Sequence, residues 1–275
     1  MYARTVGMRW SVRRLAGLAG LVAAPPIAGA QSASSRPFVI GERAEYSVKY
    51  GPIHAGNAAV EVLGIDTVRN HAAYLFRLTM SAGVNLLVYR YAVHDTMWSW
   101  VDTATFQSLR FNQNQLDGGR RRQKRYEIFP DRLAFRDGTQ PEQPSVAEPL
   151  DDLAFLFFVR GRELEVGATE TLERYFKPGS NPVVLRVLGR DTIDVAGRTW
   201  PTIVVRPIIK TSSLFAEGGE ARVWIADDPA HVIVQINTKL SVGSITMTLK
   251  SYTHPTATPP AADSVRSDTR KLLPW

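Results

Sequence analysis

The segment Pro149–Gly161, PLDDLAFLFFVRG, interrupts the pattern of the whole chain. Asp151 and Asp152 stand where carboxylates accept from the free N–H groups of a helix start. Arg160 followed by Gly161 is the matching stop signal. Leu153 to Val159 is apolar on nearly every side, and a soluble helix of that kind must be buried on more than one face. A short helix near residues 151–161, lying in the concavity of a curved sheet, meets that requirement. The Pro-rich stretch Thr139–Pro149 then leads from one group of strands into this helix.

On both sides of the helix the hydrophobic period is two. Tyr46, Val48 and Tyr50 alternate with Glu45, Ser47 and Lys49, and Ile245, Met247 and Leu249 alternate with Thr246, Thr248 and Lys250. Val232, Val234, Ile236 and Leu240 share a face opposite Gln235, Asn237 and Lys239. Such alternation belongs to antiparallel strands with one face on a core. Turn signals recur at Gly51-Pro52, Asp117-Gly118-Gly119, Asp137-Gly138, Pro178-Gly179, Ala196-Gly197, Gly218-Gly219 and Asp227-Asp228-Pro229. They delimit roughly twelve to fourteen strand candidates, too many for a flat open sheet without curling or closing. The expected fold is therefore mainly β, a single strongly curved antiparallel sheet or partial barrel with the short apolar helix in its hollow.

The chain's two ends read differently. Arg4, Arg9, Arg13 and Arg14 precede the apolar run Leu15–Ala24, and Ala28-Gly29-Ala30 supplies a small-x-small cleavage site. Residues 1–30 are thus expected to be a signal peptide cleaved after Ala30, which places the mature protein in the periplasm. The run is shorter than the roughly 20 residues a spanning helix needs. Arg13-Arg14 also fits a twin-arginine leader. Residues 31–37 are expected to be a flexible mature N-terminus, 38–253 the β domain, and 254–275 a disordered tail rich in Pro, Ala, Ser and charge. Cleavage lowers the formal net charge from +7 to +3, because the leader holds four arginines and no acid. The whole-chain basicity is then no argument for nucleic acid. With no cysteine in 275 residues, disulfides, lipid attachment through a thiol and cysteine-ligated metals are excluded.

Several motifs stand in a recognisable order. They are Gly41-Glu42-Arg43-x-x-Tyr46-x-Val48-x-Tyr50-Gly51-x-x-x-Ala55-Gly56, then Pro149-Leu150-Asp151-Asp152-Leu153, then Ala221-Arg222-Val223-Trp224-Ile225-Ala226-Asp227-Asp228 with Gly243-Ser244-Ile245 and Tyr252. Over about residues 38–253 the chain resembles the bacterial domain-of-unknown-function family numbered 3108. The resemblance implies an exported β-rich protein similar in plan to periplasmic lipoprotein carriers. It implies no established activity and supplies no catalytic residues.

Residues able to carry chemistry are few. His94-Asp95 in a strand and Asp227 with His231 around a polar turn would make a hydrolase or metal site only if the fold united them. Asp-Asp-Pro is ordinary turn chemistry, and no nucleophile, cofactor or metal motif is present. No catalytic residue, metal or cofactor is therefore assigned. Arg120, Arg121, Arg122, Lys124 and Arg125 form a basic strand, read first as a charged edge that resists pairing and second as a surface for anionic lipid head groups or envelope polymers. Leu153, Leu156, Phe157, Phe158, Trp98 and Trp224 are the candidates for lining an apolar pocket.

These features favour a binding protein of the cell envelope, with a lipid or other apolar ligand, over an enzyme. The alternative is a structural or interaction protein with a filled interior. Nucleic acid is not an expected partner, and contact with a membrane is peripheral at most. Intact mass of the exported protein should correspond to Gln31–Trp275, allowing for cyclisation of the terminal glutamine. A mature form that still carries Arg13 and Arg14 would overturn the leader assignment.

Overall fold

A computed structural model describes residues 36–86, 89–210, 220–239 and 243–255, without the side chains of 84–91. The expected leader, the mature N-terminus up to Ser35 and the tail from Thr256 onward lie outside the described residues, as does Leu240. Fourteen strands among the described residues form one antiparallel sheet that does not close. In chain order they are β1 (Arg43–Tyr50), β2 (Ile53–Val68), β3 (His71–Leu86), β4 (Tyr89–Asp102), β5 (Ser108–Asp117), β6 (Arg120–Phe129), β7 (Ala134–Asp137) and β8 (Gln143–Pro144), followed by the helix α1 (Asp152–Arg160). The return comprises β9 (Thr169–Leu172), β10 (Val183–Val195), β11 (Arg198–Ile208), β12 (Arg222–Ala226), β13 (Ile233–Lys239) and β14 (Ser244–Thr253).

The topology is two meanders joined at the centre. From β1 the chain steps outward to the edge strand β8, and from the opposite edge strand β9 it steps back to β14, which pairs with β1. Helix α1 carries the chain from one edge to the other. Short links brace that crossing: Leu150 and Tyr175 form a parallel bridge, and the Ser145 hydroxyl donates to the Phe176 carbonyl at 2.7 Å. Curvature has local causes. Register shifts fall at Glu45/Tyr46, Val48/Lys49, Val62/Gly64, Trp100/Val101, Val187/Gly189 and Trp224/Ile225, and each such bulge bends and twists its strand. Gly56 is required where β2 meets β3, since a Cβ there would stand 2.0 Å from the Ser81 carbonyl oxygen.

The concave face holds the main core. Ala44, Tyr46 and Val48 of β1, Phe76 of β3, Phe111 of β5 and Ile128 of β6 turn inward against α1. Phe157 stacks on Phe76 with ring centroids 3.8 Å apart and planes at 11°, and Phe38 meets both rings edge-on. A smaller cluster on the convex face gathers Val68, Ala73, Leu75, Trp98, Trp100 and Leu109.

Buried ionisable groups pin both ends of α1. Asp151 is the N-cap: one carboxylate oxygen accepts from the N–H groups of Leu153 and Ala154 at 2.9 and 3.0 Å. The other accepts from the hydroxyls of Ser99 on β4 and Ser108 on β5 at 2.6 and 2.7 Å. At the far end Arg160 is paired with Glu42 at 2.6 Å, both side chains being only 4% exposed. Arg160 also donates to the carbonyls of Pro37 and Ala230 at 2.8 and 2.9 Å.

Phe157→Ala should lower the unfolding free energy by about 3–5 kcal/mol, the usual cost of emptying a buried phenylalanine site. Phe157→Asp should cost at least as much, because a carboxylate there would be buried without a partner. Urea unfolding checks both, and an unchanged midpoint would show that the helix does not carry the core.

Candidate functional site

The alternation of four neighbouring strands builds the site. Their registers place Leu78, Met97, Gln113 and Lys124 in one row across β3, β4, β5 and β6, and Met80, Asp95, Gln115 and Arg122 in the next. All eight line one cavity of about 620 Å³. The first row runs from apolar through amide to cationic, and the second from apolar through the Asp95 carboxylate and an amide to cationic, each over three strand spacings, roughly 14 Å at about 4.8 Å each. Leu153 and Leu156 of α1 and Met247 of β14 extend the apolar end; Asp152, Tyr175 and Lys177 add to the polar wall. The cavity is confined to the N-terminal half of the helix. Around Phe155 and Val159, the remaining void is about 10 Å³, room for about one water.

Hydrogen bonds organise the polar wall. The Gln113 side-chain amide donates to Asp95 Oδ2 at 2.7 Å, the Tyr175 hydroxyl donates to Asp152 at 3.1 Å, and Lys177 donates to the Tyr126 hydroxyl at 2.7 Å. Asp95 is 4% exposed, and its Oδ1 has no hydrogen-bond partner among the described residues. Burial pushes the Asp95 carboxyl up to about 6, against the opposing pull of the Gln113 hydrogen bond and the Lys124 charge. Burial likewise raises Asp151 to about 6, although four donors favour its charged form. Lys177 is lowered by burial and by its neighbour Lys124.

The sequence-derived candidates separate by face. Leu153 and Leu156 line the cavity. Phe157 does not, because it is locked in the stack on Phe76. Phe158 turns toward Phe106 and Phe155, with Arg174 above its ring at 4.6 Å. Trp98 belongs to the convex cluster. Trp224 is on the convex side too, its indole N–H donating to Asp191 at 2.9 Å. The basic strand also divides. Arg122, itself exposed, and the half-buried Lys124 line the cavity, Arg120 and Arg121 are exposed, and Arg125 is spent on the Gln113 and Lys124 carbonyls and the Asn114 side chain. Only residues 126–129 of β6 pair with β7, so the Arg120–Arg125 half also fits the charged-edge reading.

The hydrolase residues do not assemble. His94 is exposed, facing away from the cavity with Ser81 as its partner at 3.0 Å. Asp95 faces inward near the start of α1. His231 bonds the Arg160 carbonyl at the other end of that helix, and Asp227 pairs with Arg190 at 2.9 Å. Among the described residues no three His, Asp or Glu side chains are grouped to hold a metal ion.

The sequence points to Arg122 and Lys124 only as part of a basic surface and not at all to Gln113 and Gln115, because polar residues give no sign of an inward face. Their signal was phase: they continue the inward positions of Phe111 on β5 and of Tyr126 and Ile128 on β6.

The chain belongs to the family described as "Protein of unknown function (DUF3108)", which matches residues 45–250. No curated protein matches it. Among solved structures, the β-barrel-like protein of the domain of unknown function DUF1849 from Brucella abortus superposes with a TM-score of 0.54 at 8% identity, over 78% of this chain and 98% of that one. That likeness concerns the fold alone. A hypothetical protein from Chlamydia trachomatis gives a TM-score of 0.35 at 8% identity over 80% and 90% of the two chains, too low to establish a shared architecture.

The Asp95 shift has a definite sign. Its folded value of about 6 exceeds the value near 3.9 in an unfolded chain, so the native state holds the proton more tightly. The associated stability is complete below about pH 3.9 and is lost as pH rises through 6. Relative to Asp95→Asn, the native protein should lose about 2–3 kcal/mol of unfolding free energy between pH 4 and pH 7. Parallel urea curves across that range test this, and identical pH slopes for the two proteins would contradict it.

Proposed function

We propose that this DUF3108 protein is exported to the cell envelope and binds an amphiphilic ligand there, with the acyl or other apolar part against Leu78, Met80, Met97, Leu153, Leu156 and Met247. The observation that carries this reading is the lateral polarity gradient in a cavity of about 620 Å³. That volume lies within the range of about 300–1,000 Å³ typical of small-molecule sites. Three methionines in the apolar part supply flexible, polarisable contacts that suit chains of variable shape. Each methylene transferred from water contributes about 0.8 kcal/mol, so eight buried methylenes would give about 6 kcal/mol before the cost of ordering the chain. The cationic, apolar and small-residue order of residues 1–30 supports export. No helix among the described residues is long and apolar enough to cross a membrane.

The polar wall also bears on the basic strand. Arg122 and Lys124 serve the cavity in this reading, while Arg120 and Arg121 remain available to an anionic membrane or envelope polymer during delivery or collection of the ligand.

A fluorescent fatty-acid probe should bind saturably, be displaced by unlabelled fatty acid and raise the melting temperature, as any ligand selective for the native state must. Leu153→Trp and Leu156→Trp should each weaken binding at least tenfold by filling the apolar part. Phe158→Trp, on a side chain turned away from the cavity, should change it less than twofold. Absence of saturable binding below the probe's micellar concentration would refute the amphiphile reading and favour a structural role.

A further inference from the structure

We infer that the ligand's polar end is zwitterionic, an anionic group seated on Arg122 and Lys124 joined by a short linker to an ammonium that donates to Asp95. This rests on the amphiphile-binding reading above and adds the chemistry of the headgroup. Asp95 lines the cavity at 4% exposure, yet its Oδ1 meets no donor among the described residues. Buried polar oxygens without a partner are uncommon and each calls for an explanation; a ligand donor in the cavity that Asp95 lines supplies one. The Gln113 amide is committed to Oδ2, and Lys124 acts on Asp95 through its charge without a hydrogen bond to it among the described residues.

Two strands away, Arg122 and Lys124 face the same cavity and make no ion pair among the described residues. Their backbone lies roughly 10 Å from that of Asp95, two strand spacings, and all three side chains project over the same concave face. Backbones about 10 Å apart that project side chains into one cavity can be bridged by two oppositely charged groups a few bonds apart. A purely anionic head would leave Asp95 unmatched and place negative charge beside it. A purely cationic head would leave Arg122 and Lys124 unmatched. A phosphoethanolamine-type group answers both, and each contact is a charge-assisted hydrogen bond. A quaternary ammonium, which has no N–H, cannot make the Asp95 contact.

The test uses the full mature chain at pH 7.5 and probe concentrations below micelle formation. Lauroyl lysophosphatidylethanolamine, lauroyl lysophosphatidylcholine, dodecyl maltoside and free phosphoethanolamine are compared by calorimetry. The ethanolamine lipid should bind at least tenfold more tightly than the choline lipid. Asp95→Asn should reduce that preference below threefold. Arg122→Gln with Lys124→Gln should weaken both phospholipids at least tenfold while leaving the ratio between them in place. Equal affinity of the native protein for the two phospholipids, or an undiminished preference in Asp95→Asn, would overturn the inference even if the acyl chain binds. Free phosphoethanolamine binding as tightly as its acylated form would uphold the headgroup assignment and refute the apolar part of the site. If none of the four binds, both readings fall.

Discussion

The architecture depends on how α1 is fastened across the hollow of the sheet. A helix of nine residues is only about 13 Å long, yet this one touches both meanders. Asp151 fastens its start to Ser99 and Ser108 in the outward meander, and Arg160 fastens its end to Glu42 and the Pro37 carbonyl just ahead of β1 and to the Ala230 carbonyl between the returning strands β12 and β13. The Asp151 carboxylate also satisfies two of the N–H groups that a helix start leaves open. A buried ion pair often adds little net stability over apolar substitutes, but loss of one partner is costly because it strands the other charge. Position is the plain consequence here: the two anchors set both the height and the direction of the helix over the sheet.

That placement explains why the interior is packed at one end and open at the other. Toward its C-terminus α1 meets the aromatic cluster of Phe38, Phe76 and Phe157, whose rings fill the space. Toward its N-terminus the sheet beneath presents Leu78, Met80, Met97 and then amides and cations. Long polar side chains keep their charged ends in water and do not close over a core as phenylalanines do. The cavity is therefore a consequence of inward positions on β5 and β6 that change from aromatic to polar partway along each strand.

The architecture was largely legible in the chain because its signals are local. Asp151 and Gly161 bracket the helix, and alternation with turn residues marks the strands, so the one-helix curved sheet follows from short windows. The cavity was less legible. Leu153 and Leu156 could be nominated from the apolar helix, but so could Phe157 and Phe158, and helical periodicity does not say which side chain meets Phe76 and which meets open space. Trp98 and Trp224 were drawn in by their size, although each sits on the convex face, one residue out of phase with the inward Met97 and Ile225.

Sequence alone determined the period of the strands, the ends of the helix, the absence of thiol chemistry and the membership of motifs carried by contiguous residues, since all of these depend on neighbours along the chain. Tertiary structure decided the site. The row Met80, Asp95, Gln115, Arg122 draws one residue from each of four strands, and its order from apolar to cationic exists only across the hydrogen-bonded register. Likewise Arg160 and Glu42, 118 residues apart, become a pair only when the sheet curls around the helix. A gradient perpendicular to the strands leaves no periodic trace within any one of them, so it becomes visible only when the strands are laid side by side.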